Sequence, residues 1–233
     1  MQRTPLILIP GLLCDALLFQ HQIAALAPIA DCWVPDCKKS GSIADIARTV
    51  LCECPFSRFA VAGLSMGGYI AFELFRIAPE RITRFALLDS TARPDTAEQT
   101  ERRHRLMEVA KGGRFGTVVE MLAPALVHSA RLDDPELQGT IRTMAYNTGI
   151  EGFLSQERAI IGRPDSRPML QSVACPTLVI CGRQDVITPV DRHEEIVAGI
   201  SGAKLHILDD CGHLSTLEQP EEVSALMRRW LID

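Results

Sequence analysis

The chain has 233 residues, of which 47% are hydrophobic and 23% are charged, and its formal net charge is -5. This length suits one α/β domain that carries an insertion and buries a substantial core. The acidic charge argues against nucleic acid or an anionic membrane as a partner, so we expect a small-molecule ligand. Eight cysteines without a C-x-x-C pair or a common zinc spacing predict reduced thiols in a cytoplasmic protein, with no metal and no other cofactor. Oligomeric state is not predicted.

Six short apolar runs alternate with helical patterns along the chain. Each run is too short for a helix and mostly lacks polar alternation, which is typical of strands buried on both faces of a parallel sheet. The first run is also too short to span a membrane, and Pro10 and Gly11 interrupt it. The predicted strands are Pro5 to Ile9, Cys32 to Pro35, Phe59 to Ala62, Arg84 to Leu88, Thr177 to Cys181 and Lys204 to Leu208.

Two helices of this pattern have recognisable ends. Ser42, followed three residues later by Asp45, forms a capping-box pattern that predicts a helix through about Cys52. Pro220 begins a second helix near the end of the chain, with acidic residues in its first turn and arginines in its last. Both patterns support an alternation of strands and helices.

The five residues Gly63-Leu64-Ser65-Met66-Gly67 join the third predicted strand to a nearly all-apolar helix that runs to Ala78. Glycines two positions before and two positions after a serine let a strand and a helix approach closely around a strained turn. This spacing nominates Ser65 as a nucleophile. In a chain with 16 glycines the motif alone can arise by chance, so the interpretation depends on what accompanies it.

The strand pattern stops between Thr91 and Ser172, where helical patterns dominate. We predict an all-helical insertion at residues 92–171, within an α/β core formed by residues 1–91 and 172–233. Its predicted helices are Ala97 to Lys111, Phe115 to Val127, Pro135 to Tyr146, and Gly152 to Ile161.

The predicted insertion is rich in arginine, with Arg102, Arg103 and Arg105 close together, but carboxylates balance its charge. This balance favours solvated helix faces, and a patch that binds an anionic substrate is the alternative.

A serine nucleophile needs a base within hydrogen-bond reach and an acid that orients the base. Of the six histidines, His213 follows the last predicted strand on a loop, where its side chain can reach across the strand ends. The other five lie in predicted helices, in the insertion or in a strand, where structural roles suffice. His213 is therefore the candidate base.

Asp185 is the candidate acid, because it directly follows the fifth predicted strand, at an edge of the sheet where ligand-facing groups collect. Asp89 ends the fourth strand and is the principal competitor. Asp209 and Asp210 lie so near His213 in sequence that a role in shaping its turn is favoured. The order Ser65, Asp185, His213 is the one expected for a nucleophile elbow of this kind.

The segments Gly63 to Gly68, Gly182 to Asp185 with Pro189, and Gly212 to His213 together resemble the α/β-hydrolase fold superfamily, across essentially the whole chain. The resemblance implies an α/β fold with a mostly parallel central sheet of about six strands, flanked by helices and covered by an all-helical cap insertion. It implies Ser65 as nucleophile, His213 as general base and then acid, and Asp185 as the orienting carboxylate.

The resemblance also implies an oxyanion hole made by the backbone N–H groups of Met66 and Leu12. The loop before Leu12 departs from the family pattern, since Pro10 and Gly11 stand where His-Gly is common. Proline has no N–H to donate, whereas Leu12 retains one, so we expect the hole to survive. We expect a minimal sheet without the two strands that many relatives place before the first one here.

Several branches of the superfamily fit poorly. Dehalogenases and epoxide hydrolases use an aspartate nucleophile, cyanohydrin lyases usually have lysine where Leu214 stands, and ring-cleavage C–C hydrolases have a glycine- and proline-rich oxyanion loop. A serine esterase or thioesterase acting on a small-molecule substrate remains. The alternatives are a ligand-binding or signalling protein with a slow triad, and a lyase or acyltransferase. Leu13, Val186 and Leu214 flank the proposed groups and predict an apolar substrate pocket.

Overall fold

The six predicted strands form one parallel sheet in the computed structural model, which describes residues 3–233. The strand order is β2-β1-β3-β4-β5-β6, which confirms the predicted α/β fold. Residues 1 and 2, which the predicted core includes, lie outside the described residues. The strands are β1 (Thr4–Ile9), β2 (Ala30–Trp33), β3 (Phe59–Leu64), β4 (Ile82–Leu88), β5 (Thr177–Gly182) and β6 (Lys204–Leu208).

The prediction for the second strand was wrong by two residues, because β2 begins at Ala30 and ends at Trp33. Pro35 lies beyond it, since proline lacks the N–H that would continue the ladder. β2 is an edge strand that pairs with β1 alone, so its burial pattern is weaker than that of the central strands. β3, in contrast, is buried along its whole length and runs to the residue before Ser65.

Helices cover both faces of the sheet, because alternate strand side chains point to opposite sides. On β1, Leu6 and Leu8 join one apolar cluster, whereas Ile7 and Ile9 join the other. Ser42 caps its helix as predicted, since its hydroxyl accepts a hydrogen bond from Asp45 N at 3.3 Å. The helices outside the segment between β4 and β5 are α1 (Gln20–Leu26), α2 (Ile43–Glu53), α3 (Met66–Ile77), α7 (Val190–Gly199), α8 (Ser215–Glu218) and α9 (Pro220–Ile232).

The segment between β4 and β5 is helical among the described residues, as the sequence indicates, and its helices are α4 (Ala97–Val109), α5 (Phe115–Leu126) and α6 (Pro135–Ile161). We call these three the inserted helices. The helices predicted before and after residues 147–151 are one element in the structure, broken at Gly149 by a φ of 69°.

The inserted helices pack onto the loop that follows β1, because Leu13 lies in an apolar cluster with Leu106, Val118 and Phe153. No helix within residues 3–233 is both long and apolar enough to cross a membrane.

Candidate active site

Ser65 lies at the junction of β3 and α3 in a strained backbone conformation. Its φ of 54° and ψ of -116° fall outside the regions that L-residues ordinarily populate. Hydrogen bonds hold it there: its N–H donates to Leu88 O at 3.0 Å, and its carbonyl accepts from Gly68 N at 2.9 Å and from Ser90 Oγ at 2.8 Å. Strain of this size persists only where the surroundings enforce it, and such positions cluster at functional sites.

The glycines around Ser65 allow the close approach that the turn needs. A Cβ added to Gly63 would lie 2.2 Å from the carbonyl oxygen of Gly67, and one added to Gly67 would lie 2.0 Å from that of Ile9. Both contacts are to backbone atoms, which cannot move aside as a flexible side chain can. The glycine spacing is therefore a packing requirement of the junction between β1, β3 and α3.

Asp185 and His213 are in direct contact at the ends of β5 and β6. His213 Nδ1 lies 2.8 Å from Asp185 Oδ2, and both side chains are buried. Asp185 also accepts hydrogen bonds from Ile187 N, Thr188 N and Thr188 Oγ1, at 2.8, 3.0 and 2.6 Å. The carboxylate is thus fixed on one side by the loop after β5 and presents an oxygen to the imidazole.

The electrostatics of this pair favour its charged form. Burial acts to lower the pKa of His213, but the neighbouring Asp185 carboxylate outweighs burial and holds the pKa above its ordinary value. Burial acts to raise the pKa of Asp185, but His213 and the Thr188 hydrogen bonds hold it below its ordinary value. An imidazole in this position is a stronger base than a free histidine.

Asp89, the competing acid, faces other groups. Its carboxylate accepts hydrogen bonds from Gly182 N at 3.0 Å and from Ser215 N at 3.3 Å, and also from the Ser215 hydroxyl. No hydrogen bond joins it to His213 in the part of the chain that the structure describes. Burial and the charge of Asp185 raise the pKa of Asp89 well above its ordinary range. Asp89 thus ties β5 to α8, beside the Asp185 and His213 pair.

Ser65 and His213 line one cavity of about 210 Å³. Within residues 3–233 no hydrogen bond joins the Ser65 hydroxyl to the imidazole, so the structure brings the acid and base together and places the serine on the same cavity wall. Catalytic hydrogen bonds are often long before substrate binds. Because Nδ1 faces Asp185, Nε2 is the imidazole nitrogen that remains for the serine.

The loop after β1 contributes Gly11, Leu12, Leu13 and Cys14 to the cavity wall. Cys14 N donates to Gly11 O at 3.2 Å, which closes a tight turn, and Leu13 adopts a positive φ of 60° inside it. Leu13 N donates to Gln156 Oε1 of α6 at 3.0 Å. The N–H groups of Leu12 and Met66 donate to no acceptor among the described residues. Leu12 lines the cavity, and Met66 is the first residue of α3, directly after Ser65.

Leu13, Val186 and Leu214, the predicted pocket residues, all line this cavity. Leu13 and Leu214 are buried, whereas Val186 is 73% exposed and lies at the rim. The side chain of Met66 points elsewhere, into the apolar cluster beneath the sheet. The inserted helices supply much of the remaining apolar wall, including Leu106, Val119, Leu122, Ile141 and Met144.

Two other reactive side chains near the site lack the character of a nucleophile or base. Cys14 lines the cavity, but burial and the nearby Asp15 raise the pKa of its thiol to about 12. His193 is buried, and burial lowers its pKa to about 4. Its Nε2 accepts from Ser90 N at 2.9 Å, so this histidine is a neutral structural group that supports the loop after β4.

Three residues that hold the site were not predicted from the sequence. Thr188 fixes Asp185, Gln156 fixes the loop after β1, and Glu218 accepts hydrogen bonds from Gly212 N and His128 N at 2.8 and 2.7 Å. The contact of Thr188 with Asp185 could have been predicted locally, since Thr188 lies three residues after Asp185. The contact of Gln156 with Leu13 could not, because 143 residues separate the two.

Comparisons with known proteins agree with this architecture. The model of the alpha/beta hydrolase fold family matches residues 4–220. A curated relative, the 2-hydroxy-6-oxononadienedioate/2-hydroxy-6-oxononatrienedioate hydrolase of Escherichia coli, is 25% identical over 201 residues, which cover 82% of this chain and 70% of the relative.

Two solved structures are similar over nearly the whole chain. A thermophilic esterase from Thermogutta terrifontis, with malate bound, has a TM-score of 0.90 and 30% identity, covering 98% of this chain and 89% of that one. The enol-lactonase from Burkholderia xenovorans LB400 has a TM-score of 0.91, covering 100% and 93%. Its 24% identity supports the fold alone. The curated relative and the esterase are hydrolases.

Proposed function

We propose that this chain, which belongs to the α/β-hydrolase fold family, is a serine hydrolase that cleaves a small carboxylic ester or thioester through an acyl-enzyme. The observation that carries the proposal is the 2.8 Å contact of His213 with Asp185 on the cavity that Ser65 also lines. A fixed imidazole of raised pKa on the same cavity as a strained serine supports nucleophilic catalysis.

In the proposed reaction, Nε2 of His213 takes the proton of the Ser65 hydroxyl as Oγ attacks the substrate carbonyl. Asp185 keeps the imidazole oriented and stabilises its cationic form. The N–H groups of Leu12 and Met66 donate to the oxygen that becomes negative, and one such donor is worth roughly 3 to 4 kcal/mol in comparable enzymes. His213 then protonates the departing alcohol or thiol. Water, activated by the same histidine, hydrolyses the acyl-enzyme.

The inserted helices act in this proposal as a cap, formed by residues 92–171, over a core of residues 1–91 and 172–233. The apolar cluster that they share with Leu13 supports this role, as does the hydrogen bond from His213 N to Leu126 O at the end of α5, at 3.2 Å. A cap that shares contacts with both catalytic loops keeps water out of the cavity during acyl transfer.

Labelling with a fluorophosphonate followed by peptide mapping tests the nucleophile without knowledge of the substrate. We expect the adduct on Ser65, and none in the Ser65→Ala variant or in heat-denatured protein. Turnover of short p-nitrophenyl esters by the parent and by Ser65→Ala then tests the reaction. Equal rates in the two proteins, or a parent that remains unlabelled, would overturn the proposal.

The curated relative favours a second candidate, hydrolysis of a 2-hydroxy-6-oxo dioate such as the one its name states. The same serine and histidine would be used. Incubation with 2-hydroxy-6-oxononadienedioate and with methyl esters in parallel separates the two candidates, because only one substrate class would be turned over efficiently.

A further inference from the structure

The cavity carries a group of polar side chains, although most of its wall is apolar. Gln99, Arg102 and Arg103 line it from one face of α4, since residues three and four apart in a helix are neighbours. Tyr69 and Glu157 line the cavity as well, from α3 and α6. Polar groups placed in an apolar ligand cavity usually fix the orientation and identity of the ligand.

The arginines of α4 differ in their partners. Arg103 contacts Asp95 at 2.7 Å and Glu157 at 2.8 Å, and Arg105 contacts Glu101 at 2.7 Å. Arg102 forms no ion pair with a described residue, yet it lines the cavity and is exposed. The sequence allowed two interpretations of these arginines, solvated helix faces or a patch that binds an anionic substrate. The first suits Arg105, and the position of Arg102 on the cavity wall suits the second.

The charges behind the cavity wall cancel. Arg163 is paired with Asp95 and lies over the Tyr69 ring, with its guanidinium carbon 4.3 Å from the ring centroid. Arg103 and Arg163 together therefore offset Asp95 and Glu157. Arg102 therefore adds a positive charge that these carboxylates do not cancel, at an exposed position on the cavity wall.

Glu157 supplies a second, independent observation. Its side chain is 1% exposed, and only Oε2 is engaged, by Arg103. Oε1 is buried and has no hydrogen-bond partner within residues 3–233. A buried carboxylate oxygen without a donor is costly, and a ligand that brings a hydroxyl group to it removes that cost.

We propose that Arg102 and Glu157 form a substrate subsite for a hydroxylated carboxylic acid, an inference that rests on the proposed hydrolase function. Arg102 binds the carboxylate of this acid, and Glu157 Oε1 accepts a hydrogen bond from its hydroxyl group. The scissile ester lies at Ser65, in the apolar part of the cavity. The substrate is thus an ester of a hydroxy acid that keeps one carboxylate free. A simple fatty ester would fill the apolar wall but leave both polar groups without a partner.

Four methyl esters with the same five-carbon acyl chain separate the two contacts. They are methyl pentanoate, methyl 3-hydroxypentanoate, monomethyl glutarate and monomethyl 3-hydroxyglutarate, and acid release at pH 7 measures their hydrolysis. The parent is compared with Arg102→Met and with the matched control Arg105→Met. Both variants lose one positive charge from α4, but only Arg102 lines the cavity.

We expect Arg102→Met to lower kcat/KM for the two acidic esters at least about tenfold and to leave the neutral esters within about twofold. Arg105→Met changes none of the four by more than about twofold. At equal charge, the parent prefers the hydroxylated ester at least about fivefold. Equal losses in both variants, or a parent that ignores the carboxylate or the hydroxyl, would overturn the subsite.

Calorimetry keeps the subsite testable without turnover. Ser65→Ala should bind monomethyl 3-hydroxyglutarate, and Ser65→Ala combined with Arg102→Met should bind it at least about tenfold more weakly. Equal binding contradicts the subsite and leaves the proposed hydrolase untouched. Absent labelling of Ser65 together with normal Arg102-dependent binding contradicts the hydrolase and supports the subsite.

Discussion

The strand ends beneath the cavity and the inserted helices above it are built differently. Beneath it, backbone atoms meet so closely that an added Cβ at Gly67 or Gly212 would lie within 2.5 Å of another backbone atom. Above it, an added Cβ at Gly112 or Gly139 meets no described atom within 4 Å. In the sheet and its flanking helices, which we call the lower region, Gly67 and Gly212 therefore accept no larger side chain, whereas Gly112 and Gly139 have room for one. Gly152 of α6 is an exception above the cavity, since an added Cβ there would lie 2.8 Å from Thr148 Cγ2.

Hydrogen bonding also differs between the acid and base groups and helix α6. The carboxylates of Asp185 and Asp89 and Nδ1 of His213 have hydrogen-bond partners in the lower region. Three of the buried side-chain atoms without a partner lie in α6, namely Thr148 Oγ1, Gln156 Nε2 and Glu157 Oε1. Two more such atoms, Gln22 Oε1 and Thr216 Oγ1, lie in α1 and α8 of the lower region. The hydrogen-bonded acid and base pair suits chemistry that requires fixed geometry, and the unpartnered groups of α6 suit recognition of a ligand.

The largest effect is expected from Gly67→Ala. The new Cβ would lie 2.0 Å from Ile9 O, so α3 and β1 must separate in the centre of the sheet. We expect a variant that does not fold, or one destabilised by more than about 3 kcal/mol, as overpacking of a rigid core predicts. Circular dichroism melting measures the change. A variant that melts within about 3 °C of the parent would show that the junction is adjustable.

Asp185→Asn is expected to abolish most of the activity while the fold remains. The amide does not stabilise a cationic His213 and favours the wrong tautomer, and the comparable change in a serine protease lowers kcat about 10⁴-fold. Asp89→Asn is the matched control. It disturbs the link of β5 to Ser215 and is expected to cost stability, with kcat within about tenfold of the parent. An Asp89→Asn variant as inactive as Asp185→Asn would contradict the assignment of the two carboxylates.

Activity should depend on pH through His213. The imidazole accepts the serine proton only when it is neutral, so kcat/KM is low at acid pH and rises with pH through the pKa of His213. Because Asp185 holds that pKa above its ordinary 6.5, the rise should be centred above 6.5, with about a tenfold loss for each pH unit below it. A pH–rate profile with a neutral ester measures this. A profile that is flat down to pH 5 would contradict it.

Gln156→Met tests the connection between the two regions. Methionine fills the space but cannot accept the hydrogen bond of Leu13 N, so the loop that carries Leu12 loses its support from α6. We expect kcat to fall about tenfold with little change in KM, and stability to fall by about 1 to 3 kcal/mol. Gln138→Met is the control, at another buried position of the same helix. Equal kinetics in both variants would exclude a role for Gln156 in positioning the loop.

Sequence patterns predicted the parts of the site that are local in the chain. Ser65 is recognisable because the glycines that its turn needs are within two residues, and His213 because it directly follows a strand. Asp89 and Asp185 both follow strands, so only three-dimensional packing separates them. Gln156 meets Leu13 in the loop after β1 across 143 residues, and Glu157 meets Arg103 of α4 across 54 residues. No local pattern predicts such contacts.

The smallest effect is expected from Gly139→Ala, a substitution in the inserted helices. Gly139 is exposed within α6, and an added Cβ there meets no described atom within 4 Å. Alanine loses less backbone entropy on folding than glycine does, so the variant should be more stable by about 0.5 to 1 kcal/mol, with unchanged kcat. Melting curves and ester hydrolysis measure the two quantities. A destabilised or inactive variant would mean that this position of α6 is as constrained as the strand ends. The contrast between constrained strand ends and adjustable inserted helices would then be wrong.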